Sequence, residues 1–151
     1  MSAPARGPDP LRLRLDGPSL PFELAAVRSR MAAWAEGLGA PAETVDDLVL
    51  ATHEALANVA DHAYPGSDAG AMAFLDAELT DGEIVVVVRD QGRWRPPAAD
   101  AGWRGRGLLI IRGLSDDTDI RHDDTGTTVE MRWRLPSTPE GRARHGRRGG
   151  P

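Results

Sequence analysis

The sequence predicts a two-layer α/β sandwich, in which a mixed, mostly antiparallel β-sheet carries helices on one of its faces. Residues 11–15 alternate apolar and polar side chains, which is typical of a half-buried strand. Two helical segments follow this strand, and two hairpins separated by a short helix come after them. Strands that occur as hairpins favour an antiparallel sheet, and amphipathic helices need a sheet face to cover.

Glycine and proline bound the two helices of the first half. We expect the first helix to start near residue 19 and to end at Gly37-Leu38-Gly39, because glycine commonly follows the end of a helix. Proline fits the first turn of a helix, so the second helix should begin at Pro41 and run to Ala63. Pro65-Gly66-Ser67-Asp68 then stops it.

The second half alternates strands with one short helix, at residues 72–79, 83–90, 107–114, 117–122 and 127–135. The run from Ile84 to Val88 is apolar at every position, so it should form a central strand with both faces covered. Residues 91–105 form a polar loop whose length is typical of functional loops. We therefore expect a disordered N-terminus (1–9), one folded domain (10–135) and an Arg-rich disordered tail (136–151).

The composition excludes several classes of function. A formal net charge of -5 and a pI near 5.3 argue against a protein that binds nucleic acid directly. All 18 basic residues are arginine, which excludes a lysine-based phosphate cradle, and the lack of cysteine excludes disulfides and thiolate chemistry. No apolar run approaches the roughly 20 residues that span a bilayer, so we expect a cytoplasmic protein without membrane contact.

The second helix carries the first candidate site. Glu54 and Asn58 are four residues apart, so they lie about 40° apart around the helix, and Asp47 and Asp61 fall on the same side. The opposite side carries core-type side chains, namely Val45, Leu48, Val49, Thr52, Leu56, Val59 and Ala63. A carboxylate beside an amide oxygen can hold a hard cation and a base near a phosphate. The same pattern also describes an ordinary solvated acidic face.

Three further motifs follow in order along the chain. They are Asp90-Gln91-Gly92 at the end of the apolar strand, Arg104-Gly105-Arg106-Gly107-Leu108 at the start of the short helix, and Gly126-Thr127-Thr128-Val129 at the start of the last strand. Together with Glu54-x-x-x-Asn58, this series resembles the nucleotide-binding boxes of the Bergerat-fold ATPases, the superfamily of gyrase, Hsp90, MutL and histidine kinases. Within it, the chain is most similar to the bacterial anti-sigma-factor serine kinases.

The resemblance implies an ATP site that uses Mg²⁺ as a cofactor. It makes Glu54 the general base and Asn58 the Mg²⁺ ligand. It gives Asp90 a hydrogen bond from the amino group of adenine, and it makes Gly92 the point where the backbone passes close to the base. Thr127 either contributes a hydrogen bond near Asp90 and adenine or is a plain strand threonine.

The resemblance also implies that the glycine-rich box binds the phosphates. Gly105 and Gly107 allow a close approach of the backbone, and the helix that opens with Gly107 and Leu108 offers free N–H groups to phosphate oxygens. Arg104 and Arg106 reach the γ-phosphate in one interpretation and remain solvated in the other.

The function implied by the resemblance is that of an ATP-dependent serine/threonine protein kinase of the anti-sigma type. Such a protein binds a sigma factor, phosphorylates an anti-sigma antagonist and forms a homodimer. The alternative is a non-catalytic ATP-binding switch that only binds a partner protein. A detached histidine-kinase catalytic domain is a third interpretation, which is disfavoured because no helical segment offers a phospho-accepting histidine in a dimerisation hairpin.

Overall fold

The computed structural model describes residues 8–16, 19–60, 72–91, 106–123 and 125–136. The strands of the described part are β1 (Leu11–Asp16), β2 (Met72–Thr80), β3 (Glu83–Asp90), β4 (Asp117–Asp123) and β5 (Gly126–Arg134). Its helices are α1 (Leu20–Gly37), α2 (Ala42–Asn58) and α3 (Arg106–Leu114). Each predicted strand and helix is present, and the predicted two-layer α/β architecture is confirmed.

The sheet has the strand order β1-β2-β3-β5-β4, and each pair of neighbouring strands is antiparallel. We expected a mixed sheet, but the described strands include no parallel pair. The position of β5 explains this difference. β3 and β4 run in the same direction, and β5 lies between them, so neither has a parallel neighbour.

The three helices lie side by side on one face of the sheet. α2 is in the middle, because it contacts α1 on one side, α3 on the other, and β3 and β5 below. α1 contacts β1, and α3 contacts β4. Arg28 of α1 also donates a hydrogen bond of 3.4 Å to Nδ1 of His53 on α2. None of the helices in the described ranges is long and apolar enough to cross a bilayer.

The regular α-helical part of α2 ends at a candidate site residue. The regular helix ends at Asn58, and Val59 and Ala60 continue it in a wider, π-type turn. The predicted end at Ala63 lies outside the described residues, as does Asp61. Such turns are rare in helices and often occur at functional sites.

The last hairpin is tighter than predicted. β4 extends to Asp123, and β5 already begins at Gly126. The side chain of Asp123 closes this turn, because its Oδ1 accepts hydrogen bonds from the backbone N–H groups of Thr125 (2.7 Å) and Gly126 (3.1 Å). This is the local bonding that makes aspartate common in turns.

The face of the sheet beneath the helices changes from apolar to polar toward one end. One row across β2, β3, β5 and β4 consists of Leu75, Val88, Val129 and Ile120. The end row on the same strands consists of Ala73, Asp90, Thr127 and His122. The apolar core therefore stops at a defined line, beyond which β3, β5 and β4 present polar side chains.

The opposite face of the sheet carries charged pairs. Arg89 donates to Asp76 over 3.1 Å, while Arg132 bonds Glu83 (3.3 Å) and Glu130. These groups are partly exposed, and exposed ion pairs contribute at most about 1 kcal/mol each. The stability of the fold therefore rests on the apolar layer between sheet and helices.

Leu48 and Leu50 allow a matched test of that layer. Leu48 is fully buried, whereas Leu50, two residues farther along α2, is 44% exposed. We expect Leu48→Ala to lower the free energy of unfolding by about 2–5 kcal/mol, because it leaves a cavity in the core. Leu50→Ala should cost less than about 1 kcal/mol. Urea unfolding followed by circular dichroism measures both losses, and equal losses would contradict the orientation of α2.

Candidate functional site

Glu54 and Asn58 lie at the edge of the buried face of α2. Both are partly buried, and so is Asp47, which precedes Glu54 by seven residues on the same side. The buried face is wider than predicted, because Ala51 and Ala55 also belong to it. The pair consequently borders the core on one side and solvent on the other, so its side chains can meet a ligand without disturbing the core.

Gly107 at the start of α3 packs directly against the side chain of Asn58. A Cβ atom added to Gly107 would lie 3.0 Å from Asn58 Oδ1, 3.1 Å from Nδ2 and 3.4 Å from Cγ. A larger residue would therefore have to displace the Asn58 amide. The sequence predicted a close approach of Gly107 to phosphate, but it gave no sign of this contact with the predicted metal ligand.

α3 is fixed at its C-terminal end. Trp133 Nε1 donates a 2.8 Å hydrogen bond to the carbonyl of Leu114, and Asp116 Oδ2 accepts a 2.7 Å bond from the backbone N–H of Arg134. The nine residues of α3 span about 13 Å, so the first turn of the helix lies about 13 Å from the anchored residue Leu114. The anchor and the contact between Gly107 and Asn58 together fix where the helix N-terminus lies.

Asp90 ends β3 in the polar row of the sheet. Its neighbours in the register are Thr127 on β5 and the fully buried Ala73 on β2. Side chains alternate along a strand, so Asp90 lies on the same helix-covered face as Val86 and Val88. The structure thus places Thr127 directly beside Asp90 on β5, and the small methyl side chain of Ala73 lies beside it on β2.

Gly126 makes a close backbone contact with Asp90 that the sequence did not reveal. Its φ is 155°, and a Cβ atom at this position would lie 1.9 Å from the carbonyl oxygen of Asp90. Only glycine can occupy such a position. The available signal was a glycine at the first position of a strand, which often marks a close approach of two backbones.

Asp123 organises the turn that leads to Gly126. A hydrogen bond from the Thr125 hydroxyl, followed by one from its backbone N–H, holds the pKa of Asp123 below its ordinary value. The carboxylate is therefore charged at neutral pH. Because this pKa is lowered by folding, the contribution of the turn to stability is present above about pH 4 and is lost as the pH falls through the lowered pKa.

Asp90 also lines an open groove of about 490 Å³ at this end of the sheet. Asp123, Thr125 and Gly126 line it from the hairpin, and the strands contribute one row of the outer face, namely Phe74, Arg89, Thr128 and Arg121. The groove therefore opens on the face opposite the helices and reaches only the end of β3, where Asp90 lies.

Part of the predicted site lies outside the described residues. This applies to Gly92, Arg104 and Gly105, while Arg106 is described only as the first residue of α3. Leu108 is described: it is partly buried and packs against the hydrophobic core. Its predicted role beside the nucleotide stays a prediction.

Two glycines of α3 allow a test of the contact with Asn58. Alanine is favoured over glycine in helices, and a Cβ at Gly113 would meet nothing within 4 Å. We expect Gly113→Ala to stabilise the protein by about 0.5 kcal/mol. Gly107→Ala should gain less or destabilise, and it should shift the NMR signals of the Asn58 side-chain amide. If both variants stabilise equally and the Asn58 signals stay in place, the close contact is absent.

Comparison with known proteins agrees with these observations. Residues 17–133 match the family of histidine kinase-like ATPase domains. The serine-protein kinase RsbW of Halalkalibacterium halodurans is 28% identical over 120 residues, which cover 70% of this chain and 72% of the relative. The RsbW of Bacillus thuringiensis is 30% identical over 123 residues, which cover 72% of this chain and 75% of the relative.

Two solved structures have similar folds. A crystal structure of the RsbU and RsbW domains of a Mycobacterium tuberculosis protein matches 87% of this chain with a TM-score of 0.69 and 26% identity, and the chain spans 34% of that protein. The histidine kinase domain of a blue-light activated histidine kinase from Erythrobacter litoralis matches 77% of this chain and 61% of its own, with a TM-score of 0.56 and 25% identity. The chain thus belongs to the family of histidine kinase-like ATPase domains, as the order of its four motifs predicted.

Proposed function

We propose that this chain is an ATP-binding serine/threonine protein kinase that binds a sigma factor and phosphorylates an anti-sigma antagonist. One observation carries the proposal: Glu54 and Asn58 share an edge of α2, and Gly107 at the start of α3 closes on Asn58. A carboxylate, an amide oxygen and the N-terminus of a helix thereby come together. The similarity to the RsbW serine-protein kinases supports a protein kinase as the class.

The donor atoms at this place fit Mg²⁺ bound together with the phosphates of ATP. Asn58 offers an amide oxygen, and Glu54, one helical turn away, offers a carboxylate, and both are hard oxygen ligands. Within the described ranges, no three or more His, Cys, Asp or Glu side chains gather into a group that could hold a metal alone. This suits Mg²⁺, which takes many of its ligands from phosphates and water, and whose charge offsets that of the phosphates during transfer. Asn58 is then its protein ligand.

The N-terminus of α3 binds the phosphates. The first N–H groups of a helix have no partner within the helix, and they favour negative charge. Gly107 has no side chain to separate these groups from the phosphate oxygens or from Asn58. Gly105, Arg104 and Arg106 belong to the same phosphate site in this proposal.

Glu54 acts as the general base. The hydroxyl oxygen of a serine or threonine on the antagonist attacks the γ-phosphorus of ATP, and the bond between this phosphorus and the bridging oxygen breaks to release ADP. Glu54 accepts the hydroxyl proton as the new bond forms. Because Glu54 is only partly buried, a side chain of a partner protein can reach its carboxylate.

Asp90 selects adenine at the other end of the nucleotide. Its carboxylate accepts a hydrogen bond from the amino group of adenine, whereas guanine presents a carbonyl oxygen at that position. Two acceptors that face each other without a proton repel, so guanine is rejected. Thr127, which lies beside Asp90 in the register, and Gly92 complete the base side of the site.

The partners are the most specific part of the proposal. The resemblance to the anti-sigma-factor kinases supports two partners, a sigma factor and an antagonist with a phosphorylatable hydroxyl. It also supports a homodimer and a cytoplasmic location. A switch that binds its partner in an ATP-dependent way without phosphoryl transfer is the alternative, and the experiments below separate the two.

Asp90→Asn tests the selection of adenine. We expect the wild-type protein to bind ATP at least about tenfold more tightly than GTP, which corresponds to one lost hydrogen bond. Asp90→Asn should remove this preference, because its amide can donate to the carbonyl of guanine. Asp117→Asn, on the exposed face of β4, is the control and should leave the preference unchanged. Titration calorimetry measures the affinities, and equal values for both nucleotides in the wild-type protein would remove Asp90 from the site.

Glu54→Ala and Asn58→Ala separate catalysis from binding. Glu54→Ala should slow phosphoryl transfer to the antagonist by about 10²-fold or more while ATP affinity changes only a few-fold. Asn58→Ala should weaken the Mg²⁺-dependent part of ATP binding itself. Glu43→Ala, in the exposed first turn of α2, is the control.

The antagonist for this assay is a protein retained from native cell extract in the presence of ATP. Labelled γ-phosphate should appear on its serine or threonine residues. If the wild-type protein retains the partner only with ATP but transfers no label, the chain is a switch and the kinase proposal is wrong.

A further inference from the structure

The side chain of Asp123 holds the described part of the turn between β4 and β5. Asp123 Oδ1 accepts three hydrogen bonds, from the backbone N–H of Thr125 (2.7 Å), the Thr125 hydroxyl (2.5 Å) and the backbone N–H of Gly126 (3.1 Å). Hydrogen bonds to a charged acceptor are about twice as strong as those between neutral groups. The position of Gly126 is therefore tied to the Asp123 carboxylate.

Gly126 in turn lies against the backbone of Asp90. A Cβ atom on Gly126 would stand 1.9 Å from the carbonyl oxygen of Asp90, 2.9 Å from its carbonyl carbon and 3.2 Å from the Cα of Gln91. No side chain separates the two backbones here. Any movement of Gly126 toward β3 is consequently passed on to Asp90.

This contact between Gly126 and Asp90 lies where the pairing of β3 with β5 ends. The pairing between β3 and β5 runs from Glu83 and Arg134 to its last pair, Asp90 and Thr127. An interior pair of these two strands has a further pair before it and another after it. The pair of Asp90 and Thr127 has one only before it, at Arg89 and Thr128. On the other side, Gly126 lies close to the carbonyl group of Asp90.

We propose that Asp123 is the positioning residue for Asp90 and that, through the turn and Gly126, it sets the preference for adenine over guanine. This inference rests on the proposed function, in which Asp90 reads the base. Asp123 does not touch the nucleotide in this proposal. Its charge orders the turn, the turn fixes Gly126, and Gly126 fixes the depth at which the carboxylate of Asp90 meets the base.

The test compares three ligands with the intact chain: ATP, GTP and inorganic triphosphate, each with Mg²⁺. Asp123→Ala should lower the preference for ATP over GTP about tenfold, the factor for one misplaced hydrogen bond. It should leave the affinity for triphosphate unchanged, because the phosphate side of the site lies on α2 and α3. Asp123→Asn retains an acceptor oxygen but loses the charge, so it should restore only part of the preference.

Asp119→Ala is the matched control, since Asp119 lies on the same strand but bonds only Arg121 among the described side chains. If Asp123→Ala folds poorly, Thr125→Val removes one of the three hydrogen bonds and should give a smaller change of the same kind. The proposal is overturned if Asp123→Ala keeps the wild-type preference, or if it weakens all three ligands equally. A wild-type protein that does not distinguish ATP from GTP would instead refute the proposed function, and the inference with it.

Discussion

The antiparallel register that holds β3 between β2 and β5 is the constraint on which the candidate site depends. It aligns Val88 with Leu75 and Val129 in the core. Because side chains alternate along a strand, Asp90, two residues after Val88, also lies on the helix-covered face. A shift of one residue would bury Arg89 and turn Asp90 to the charged outer face, so the burial of valines determines where the acid lies.

The other half of the site depends on how closely two helices approach. α2 is held by its buried face, and Glu54 and Asn58 lie at the edge of that face. α3 is anchored by Trp133 at one end and meets Asn58 through Gly107 at the other. A side chain at position 107 would push α3 away from Asn58, and a side chain at position 126 would push β5 away from Asp90.

The sequence predicted the helices, the strands and the placement of Glu54 and Asn58 on one side of α2, because periodicity and glycine or proline signals are local. It did not predict that β5 lies between β3 and β4, since strand order depends on contacts between distant parts of the chain. The contacts of Gly107 with Asn58 and of Gly126 with Asp90 were missed for a related reason. A glycine leaves no side-chain pattern from which its partner can be read.

In the proposed site, one nucleotide spans the edge of α2, the start of α3 and the end of β3. An NMR titration of the intact protein with Mg²⁺ and a non-hydrolysable ATP analogue tests it most directly. We expect the backbone amide signals of four residues to shift together with a single dissociation constant, namely those of Asn58, Gly107, Asp90 and Thr127. The signals of Glu130 and Arg132 on the outer face should stay in place. Shifts confined to the outer face, or no shifts at millimolar analogue, would contradict it.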